Sequence, residues 1–302
     1  MRPEATGIEL YDRTADAASN EVIRAYSTSF GIASRLLGRR VRPHVRNIYA
    51  LVRVADEIVD GPGEEAGMST AEARAVLDAL ETETLAAVDR GFSANLIVHA
   101  FARTARLSGF AADLIGPFFA SMRTDLTVRS HDAVSHDEYV YGSAEVVGLM
   151  CLRAFVGVDR PRAPQPSPAL VEGARRLGAA FQDVNFLRDR RHDAGALGRD
   201  YLGIGGRSTT RTDVLDRIDA DLAAAAAVIP QLPKDCRRAV TAAHDLFAEL
   251  SARLRRNDTG GRVRVPDPVK LALAARALAG RAPGARQQAG GVGRSPIEET
   301  RA

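Results

Sequence analysis

The sequence lacks tryptophan and has few aromatic residues of any kind, which make up 5% of its 302 residues. Alanine and leucine favour helices, whereas aromatic and β-branched residues favour strands, so this composition predicts a helical protein. Cysteine is also scarce, with only Cys151 and Cys236 present. Two cysteines make no disulfide framework, and a reducing compartment is therefore expected.

Long apolar runs and strong charge are missing as well. The longest apolar run, residues 222–229, is far shorter than the roughly 18 residues of a membrane span. Residues 1–20 are polar and acidic where a secretory peptide would be apolar, so we expect a cytoplasmic protein. The net charge of +3 is too small and diffuse for nucleic acid, and no nucleic-acid partner is expected. It suits an acidic small substrate or peripheral contact with an anionic membrane, and the oligomeric state stays open.

Helix punctuation recurs along the chain and predicts one all-α domain. Ser69 with Glu72, and Ser135 with Glu138, match the capping-box pattern, and Pro117 predicts a kink or a new helix start. The helical domain is expected over residues 15–281, because 45% hydrophobic content suffices for one large core. Residues 282–302, rich in Gly, Gln and Arg, are expected to form a disordered tail.

Two aspartates, Asp56 and Asp60, stand four positions apart in an apolar segment, with Arg53 three positions before Asp56. On a helix both carboxylates share one face about a turn apart, where like charges cost a few tenths of a kcal/mol. A bound cation would remove that repulsion. For this segment alone, a solvated surface stripe with an Arg53–Asp56 ion pair explains the pattern equally well.

A second acidic segment is more specific. Its members fall at spacings of three, four and four, which puts two amides and two carboxylates on one helical stripe: Gln182, Asn185, Asp189 and Asp193. Oxygen ligands of this kind suit Mg²⁺, which completes its shell with water and substrate phosphates. Cysteine and histidine do not cluster with zinc-ligand spacing, and an ordinary polar helix face is the alternative. Two such segments facing each other would bind a diphosphate through Mg²⁺ and stabilise its departure, with apolar helices holding a hydrocarbon.

Five blocks of sequence between residues 26 and 278 resemble the squalene and phytoene synthases, which join two prenyl diphosphates head to head. The blocks are residues 27–30 with 33–37, 49–61, 139–148, 182–193 with 198–202, and 262–266 with Lys270. The resemblance implies a class I isoprenoid (terpenoid) synthase fold, a single helical bundle around a central apolar cavity. It also implies prenyl diphosphate substrates, Mg²⁺ or Mn²⁺ as cofactor, and peripheral membrane contact for product release.

The resemblance assigns roles to individual residues. The implied metal ligands are Asp56, Asp60, Asn185, Asp189 and Asp193. The implied diphosphate contacts are Arg53, Arg188, Ser27, Ser29, Gln182, Asn185, Arg264 and Lys270. Tyr139 joins the four aspartates as a catalytic residue, because its ring can stabilise cationic intermediates and its hydroxyl can assist the diphosphate.

Four positions depart from the family pattern: Tyr26, Thr28, Glu145 and Phe247. A carboxylate such as Glu145 beside a prenyl channel must be either neutral or paired. Since both acidic pairs are intact, these departures bear on specificity more than on the type of reaction.

The implied function is condensation of two geranylgeranyl diphosphates to phytoene, through a cyclopropylcarbinyl (prephytoene) diphosphate, in carotenoid biosynthesis. A squalene or dehydrosqualene synthase acting on farnesyl diphosphate is the first alternative. A non-catalytic helical assembly factor of the same family is the second, and it predicts that Asp56→Ala and Asp189→Ala would be harmless. A head-to-tail prenyltransferase or terpene cyclase would also use acidic helix motifs, and the number of prenyl chains in the product separates those classes.

Overall fold

The computed structural model describes residues 7–160, 164–192, 200–204, 209–257 and 263–284, with the side chains of residues 28–30, 32, 191 and 192 outside this description. Across these ranges the secondary structure is helical, apart from two isolated bridges, Ser130 with Asp200 and Ile204 with Thr209. The helices are α1 Gly7–Tyr26, α2 Thr28–Arg35, α3 Arg42–Val59, α4 Pro62–Glu65, α5 Thr70–Arg90, α6 Leu96–Ser108, α7 Ala112–Asp125, α8 Ala133–Val140, α9 Val146–Gly157, α10 Pro168–His192, α11 Arg211–Val228, α12 Lys234–Arg256 and α13 Asp267–Leu278. The all-α prediction is confirmed.

The two predicted capping boxes show how local sequence determines where a helix begins. Ser69 and Glu72 satisfy each other's backbone N–H groups at the start of α5, as predicted. The prediction of Ser135 with Glu138 is wrong, because Asp132 caps α8 and exchanges its hydrogen bonds with Ser135. An aspartate three positions before the serine offers a charged acceptor for the serine N–H, so the helix begins one turn earlier than predicted.

Pro117 lies inside α7, which begins five residues before it at Ala112, so the predicted new start is wrong. Proline there removes one backbone donor, but α7 is packed on both sides: Phe118 and Phe119 are buried, and the Pro117 carbonyl lies against Gly142. Tertiary packing therefore offsets the local cost of the proline.

The central helix of the bundle is formed by α8 and α9 joined through a π-helical turn, Tyr141–Glu145. It packs very closely on α10. A Cβ atom on Gly178 would lie 2.6 Å from the Ala144 carbonyl, and one on Gly148 would lie 2.6 Å from the Ala174 carbonyl. Residue numbers rise on one helix as they fall on the other, so the two helices run antiparallel.

The same central stretch, Ala133–Gly157, is long and apolar enough by composition to cross a membrane. Many of its side chains instead pack in the protein core, including Val146, Met150 and Ala154. A core helix of this kind passes the same compositional test as a membrane span.

Candidate active site

The first acidic segment ends α3. Asp56 lies in the last turn, and Asp60 caps the helix, donating its backbone N–H to the Asp56 carbonyl at 2.9 Å. Burial raises the pKa of Asp56 to about 8; repulsion from Asp60 and Asp125 adds to the rise, and Arg53 opposes it. Near neutral pH the Asp56 carboxyl is largely protonated on its own, and a bound cation would favour its ionised form.

Arg53 forms its ion pair with Glu57, one turn further along α3. Its guanidinium also lies over the ring of Tyr26, 4.7 Å from the ring centroid. The sequence suggested an ion pair between Arg53 and Asp56, whereas the structure shows one between Arg53 and Glu57. Tyr26, one of the departures from the family pattern, holds the arginine beside the acidic segment through a cation–π contact.

A buried carboxylate, Asp125, accepts hydrogen bonds from two tyrosines. The Tyr139 hydroxyl donates at 2.7 Å and the Tyr201 hydroxyl at 2.9 Å, and Asp125 itself is only 4% exposed. Burial, followed by the charge of Asp125, raises the pKa of Tyr139 well above its usual value. Tyr139 therefore stays protonated and donates its hydroxyl hydrogen bond to Asp125.

Aromatic side chains connect this carboxylate to the second acidic segment. The ring of Phe186 on α10 stacks on Tyr201 at 4.3 Å and lies 6.0 Å from Tyr139. The first acidic segment is linked to the same cluster electrostatically. The charge of Asp60 helps to raise the pKa of Tyr139, and the charge of Asp125 helps to raise the pKa of Asp56. Both acidic segments consequently adjoin one buried aromatic cluster.

The second acidic segment lies on α10 as predicted. Arg188 binds the neighbouring Asp189 through Nε, at 3.1 and 3.0 Å from the two carboxylate oxygens. Asn185 is partly buried on the same helix, and Gln182 lines the main cavity. Asp193 lies outside the described residues, so its predicted role stays a prediction.

The other predicted diphosphate contacts stay predictions too. Ser27 hydrogen bonds with Tyr49, and the side chain of Ser29 lies outside the description. Arg264 is exposed ahead of α13. Lys270 is held by Asp267 at 3.0 Å, so it would have to exchange that partner to reach a diphosphate.

An apolar cavity of about 260 Å³ runs between the central helix and α10. Val52, one turn before Asp56, and Gln182 line it near the acidic segments, whereas Phe155 and Leu170 line it at the far end. Burial raises the pKa of Cys151 in its wall to about 12, so the thiol is uncharged there. The predicted central apolar cavity is confirmed, and its described lining suits a hydrocarbon.

Glu145, the most unusual departure from the family pattern, is paired. Arg175 donates from Nε to its carboxylate at 2.6 Å and also lies over the Tyr141 ring, 5.6 Å from its centroid. Burial raises the pKa of Glu145, and the Arg175 hydrogen bond opposes the rise. Its neighbours Ser143 and Ala144 line the cavity, while the charge of Glu145 is neutralised by α10.

Several buried carboxylates were not predicted from the sequence, and two of them are paired with residues of the central helix. Asp125 is the first, and Asp183 is the second: it is 1% exposed and accepts from His136 Nε2 and Arg217 Nε, both at 2.9 Å. For Asp125 the sequence did hold a signal. Asp125 continues the apolar stripe of Ile115, Phe118 and Met122, and a carboxylate on such a stripe is buried and paired.

In the part of the chain that the structure describes, no three His, Cys, Asp or Glu side chains converge as a ready-made metal site. Mg²⁺ does not require one, because it binds through one or two carboxylates and takes its remaining ligands from water and substrate phosphates. The donor set of Asp56, Asp60 and Asp189 fits that chemistry.

Comparison with known proteins agrees with this geometry. The family model described as squalene/phytoene synthase matches residues 23–203. The chain is 28% identical to a 15-cis-phytoene synthase of a Paracoccus strain over 79% of this chain and 81% of that one. It is 31% identical to a phytoene synthase of Cereibacter sphaeroides over 80% and 72%.

Solved structures show the same fold. A dehydrosqualene synthase superposes with a TM-score of 0.72 at 22% identity, covering 90% of this chain and 97% of that one. A squalene synthase from Alicyclobacillus acidocaldarius gives 0.68 at 20% identity, covering 83% and 96%. The helical bundle, with acidic segments beside an apolar cavity, defines a prenyltransferase of the isoprenoid synthase class. Within that class, the chain belongs to the squalene/phytoene synthase family.

Proposed function

We propose that this protein condenses two geranylgeranyl diphosphates, each a C20 chain, head to head into phytoene, a step of carotenoid biosynthesis. The reaction would pass through a cyclopropylcarbinyl diphosphate that ionises, rearranges and loses a proton. Relatives named phytoene synthase, at 28% and 31% identity, support this choice. The observation that carries it is the length of the apolar cavity.

The cavity is lined along the central helix from Ser143 to Phe155 and along α10 from Leu170 to Gln182. Because the two helices are antiparallel, the distance from Ser143 to Phe155 and the distance from Leu170 to Gln182 both give the length of the cavity. Each spans twelve residue steps, or about 18 Å at the helical rise.

An extended isoprene unit spans roughly 5 Å at ordinary bond lengths, so three units reach about 15 Å and four about 20 Å. If its first carbon lies at the diphosphate beyond Gln182, one extended C20 chain would reach the end of the cavity that Phe155 lines. A C15 chain leaves roughly one isoprene unit of empty space there. Unfilled apolar space forfeits dispersion contacts, which favours the longer chain.

The proposed cofactor is Mg²⁺, held by Asp56, Asp60 and Asp189, with Asn185 and Asp193 as further candidates. When bound, Mg²⁺ would neutralise the negative charge that develops on the diphosphate as the C–O bond breaks. Arg53 is paired with Glu57, and Arg188 is paired with Asp189. In the proposed complex each arginine would exchange its carboxylate partner for diphosphate oxygens. The proposed role of Tyr139 is to stabilise positive charge with its ring, whose orientation the hydrogen bond to Asp125 fixes.

The test incubates the purified protein with Mg²⁺ and geranylgeranyl diphosphate and measures C40 hydrocarbon by mass spectrometry. Asp56→Asn and Asp189→Asn should each reduce the rate at least a hundredfold, whereas Asp89→Asn, an exposed carboxylate on α5, should not. Equal activity of all three variants would show that Asp56 and Asp189 do not form the proposed metal site. Absence of any C40 product from the wild-type protein would overturn the proposed function.

A further inference from the structure

Helix α13 exposes an apolar face. Leu271 is 63% exposed and Leu278 is 48% exposed, and Ala275 between them is exposed as well. These positions are spaced by four and three residues, so they share one side of the helix. The opposite side packs inward, where Ala277 is buried. We call the three exposed residues Leu271, Ala275 and Leu278 the α13 face.

The described chain does not cover this face. Arg276 reaches inward to Asp245 on α12, and after the helix the Gly284 N–H bonds the same carboxylate at 3.1 Å, so the chain turns back toward α12. Residues 285–302 contain only Val292 and Ile297 as large apolar side chains. That segment has little apolar surface with which to bury two leucines.

The α13 face lies close to the main cavity. A small gap beneath the helix is lined by Leu273 of α13, Ala33 of α2 and Ala242 of α12. Ala33 also lines the main cavity, and so does Ala243, the neighbour of Ala242. Ala33 lines both spaces, so α13 lies close to the space proposed to hold the hydrocarbon.

The segment around the face is basic. Residues 263–284 contain four cationic side chains and a single acidic one: Arg264, Lys270, Arg276 and Arg281, against Asp267. Arg264 precedes α13 and Arg281 follows it, and both are exposed. Cations at the two ends of an exposed apolar helix face match an anionic lipid surface, where each contributes about 1 kcal/mol.

We propose that the α13 face docks on an anionic lipid bilayer and places the seam between α2 and α12 against the membrane. The choice of a bilayer rests on the proposed function, because a long hydrocarbon product needs an apolar phase to enter. Burial of the two leucines in the acyl boundary and attraction of the flanking arginines to lipid phosphates supply the binding free energy.

The test measures co-sedimentation of the full-length protein with vesicles of 70% phosphatidylcholine and 30% phosphatidylglycerol. Leu271→Ser/Leu278→Ser should lower the partition coefficient at least tenfold. The matched control is Val134→Ser/Leu107→Ser, which removes two side chains of similar exposure, 69% and 46%, from α8 and α6. The control should bind within twofold of wild type. Pure phosphatidylcholine vesicles should bind the wild type at least fivefold more weakly, because the attraction to charge is lost.

Several results would overturn the proposal: no binding of the wild type, equal losses in both double variants, or no loss in either. Sedimentation velocity without lipid detects a second copy on the face, and a wild-type dimer that Leu271→Ser/Leu278→Ser dissociates would also overturn it. Activity on detergent-dispersed substrate is measured separately. If Leu271→Ser/Leu278→Ser loses vesicle binding but keeps its activity in detergent, the α13 face is supported as the docking surface. If the proposed function fails, the wild type makes no C40 product but still binds vesicles.

Discussion

The hydroxyl of Tyr139 donates a 2.7 Å hydrogen bond to Asp125, a carboxylate that Tyr201 binds from its other oxygen. This contact fixes the chemical character of Tyr139. Its proton is committed to a buried acceptor, and its pKa is raised well above the usual value, first by burial and then by the charge of Asp125. Tyr139 is therefore neutral, and its ring is held in a fixed orientation beside the acidic segments.

Asp125→Asn tests this positioning role. The amide can accept from only one of the two tyrosines, and a hydrogen bond to a charged group is worth about 1.5–3 kcal/mol. We expect kcat to fall at least tenfold while KM for the prenyl diphosphate changes less than threefold, as Asp125 acts through Tyr139. Tyr201→Phe keeps both the carboxylate and Tyr139 and should lower kcat less. A full kcat in Asp125→Asn would contradict the role.

Phe155 lines the cavity at the end away from the acidic segments, and we expect it to influence chain length. Phe155→Trp fills part of the space assigned to the fourth isoprene unit. The ratio of kcat/KM for C15 over C20 diphosphate should rise at least tenfold, in line with about 1–3 kcal/mol for one missing or added group in an apolar pocket. Phe92→Trp, at a 45% exposed phenylalanine, should leave the ratio unchanged. An unchanged ratio in Phe155→Trp would place the end of the chain elsewhere.

The close crossing of the central helix and α10 depends on glycine. A Cβ on Gly178 would lie 2.6 Å from the Ala144 carbonyl, so Gly178→Ala should lower the free energy of unfolding by about 1–3 kcal/mol despite alanine's higher helix propensity. In α7, Gly116 has no atom within 4 Å of such a Cβ, and Gly116→Ala should raise stability by up to about 1 kcal/mol. Urea denaturation followed by circular dichroism measures both changes, and the same sign for the two variants would refute the packing explanation.

His44 makes stability depend on pH. It is buried, its Nδ1 lies 3.0 Å from Thr104 Oγ1, and burial followed by the charge of Arg103 lowers its pKa to about 4. Between that value and the unfolded pKa of about 6.5, the unfolded chain binds the extra proton. The contribution of neutral His44 is therefore complete above about pH 6.5 and declines as pH falls toward 4.

His44→Asn removes this titration. Relative to the variant, the wild type should lose up to about 3 kcal/mol of unfolding free energy between pH 7 and 4. Urea denaturation at several pH values measures the difference between the two proteins. A difference that stays constant across this range would show that His44 does not titrate as described.

Regular spacing made part of the site predictable. The interval of four between Asp56 and Asp60, and the stripe of Gln182, Asn185 and Asp189, could be identified without a structure because helical periodicity places such residues on one face. The start of α10 at Pro168 is also marked in the sequence, because proline favours the first turn of a helix.

The remainder depends on contacts between segments distant in sequence. Asp125 has no acidic neighbour at helical spacing, and only the packing of α7 against the central helix brings Tyr139 to it. Glu145 could be recognised as unusual, but its partner Arg175 lies 30 residues away on α10. The length of the cavity likewise follows from how two helices cross, which glycine positions permit but do not by themselves specify.

The most direct test of the central claim is a competition between substrates. The wild-type protein, with Mg²⁺ and equimolar C15 and C20 diphosphates, should release phytoene as its major hydrocarbon, and mass spectrometry should show both halves of the product coming from labelled C20 substrate. A C30 hydrocarbon as the major product, or a product holding a single prenyl chain, would contradict it.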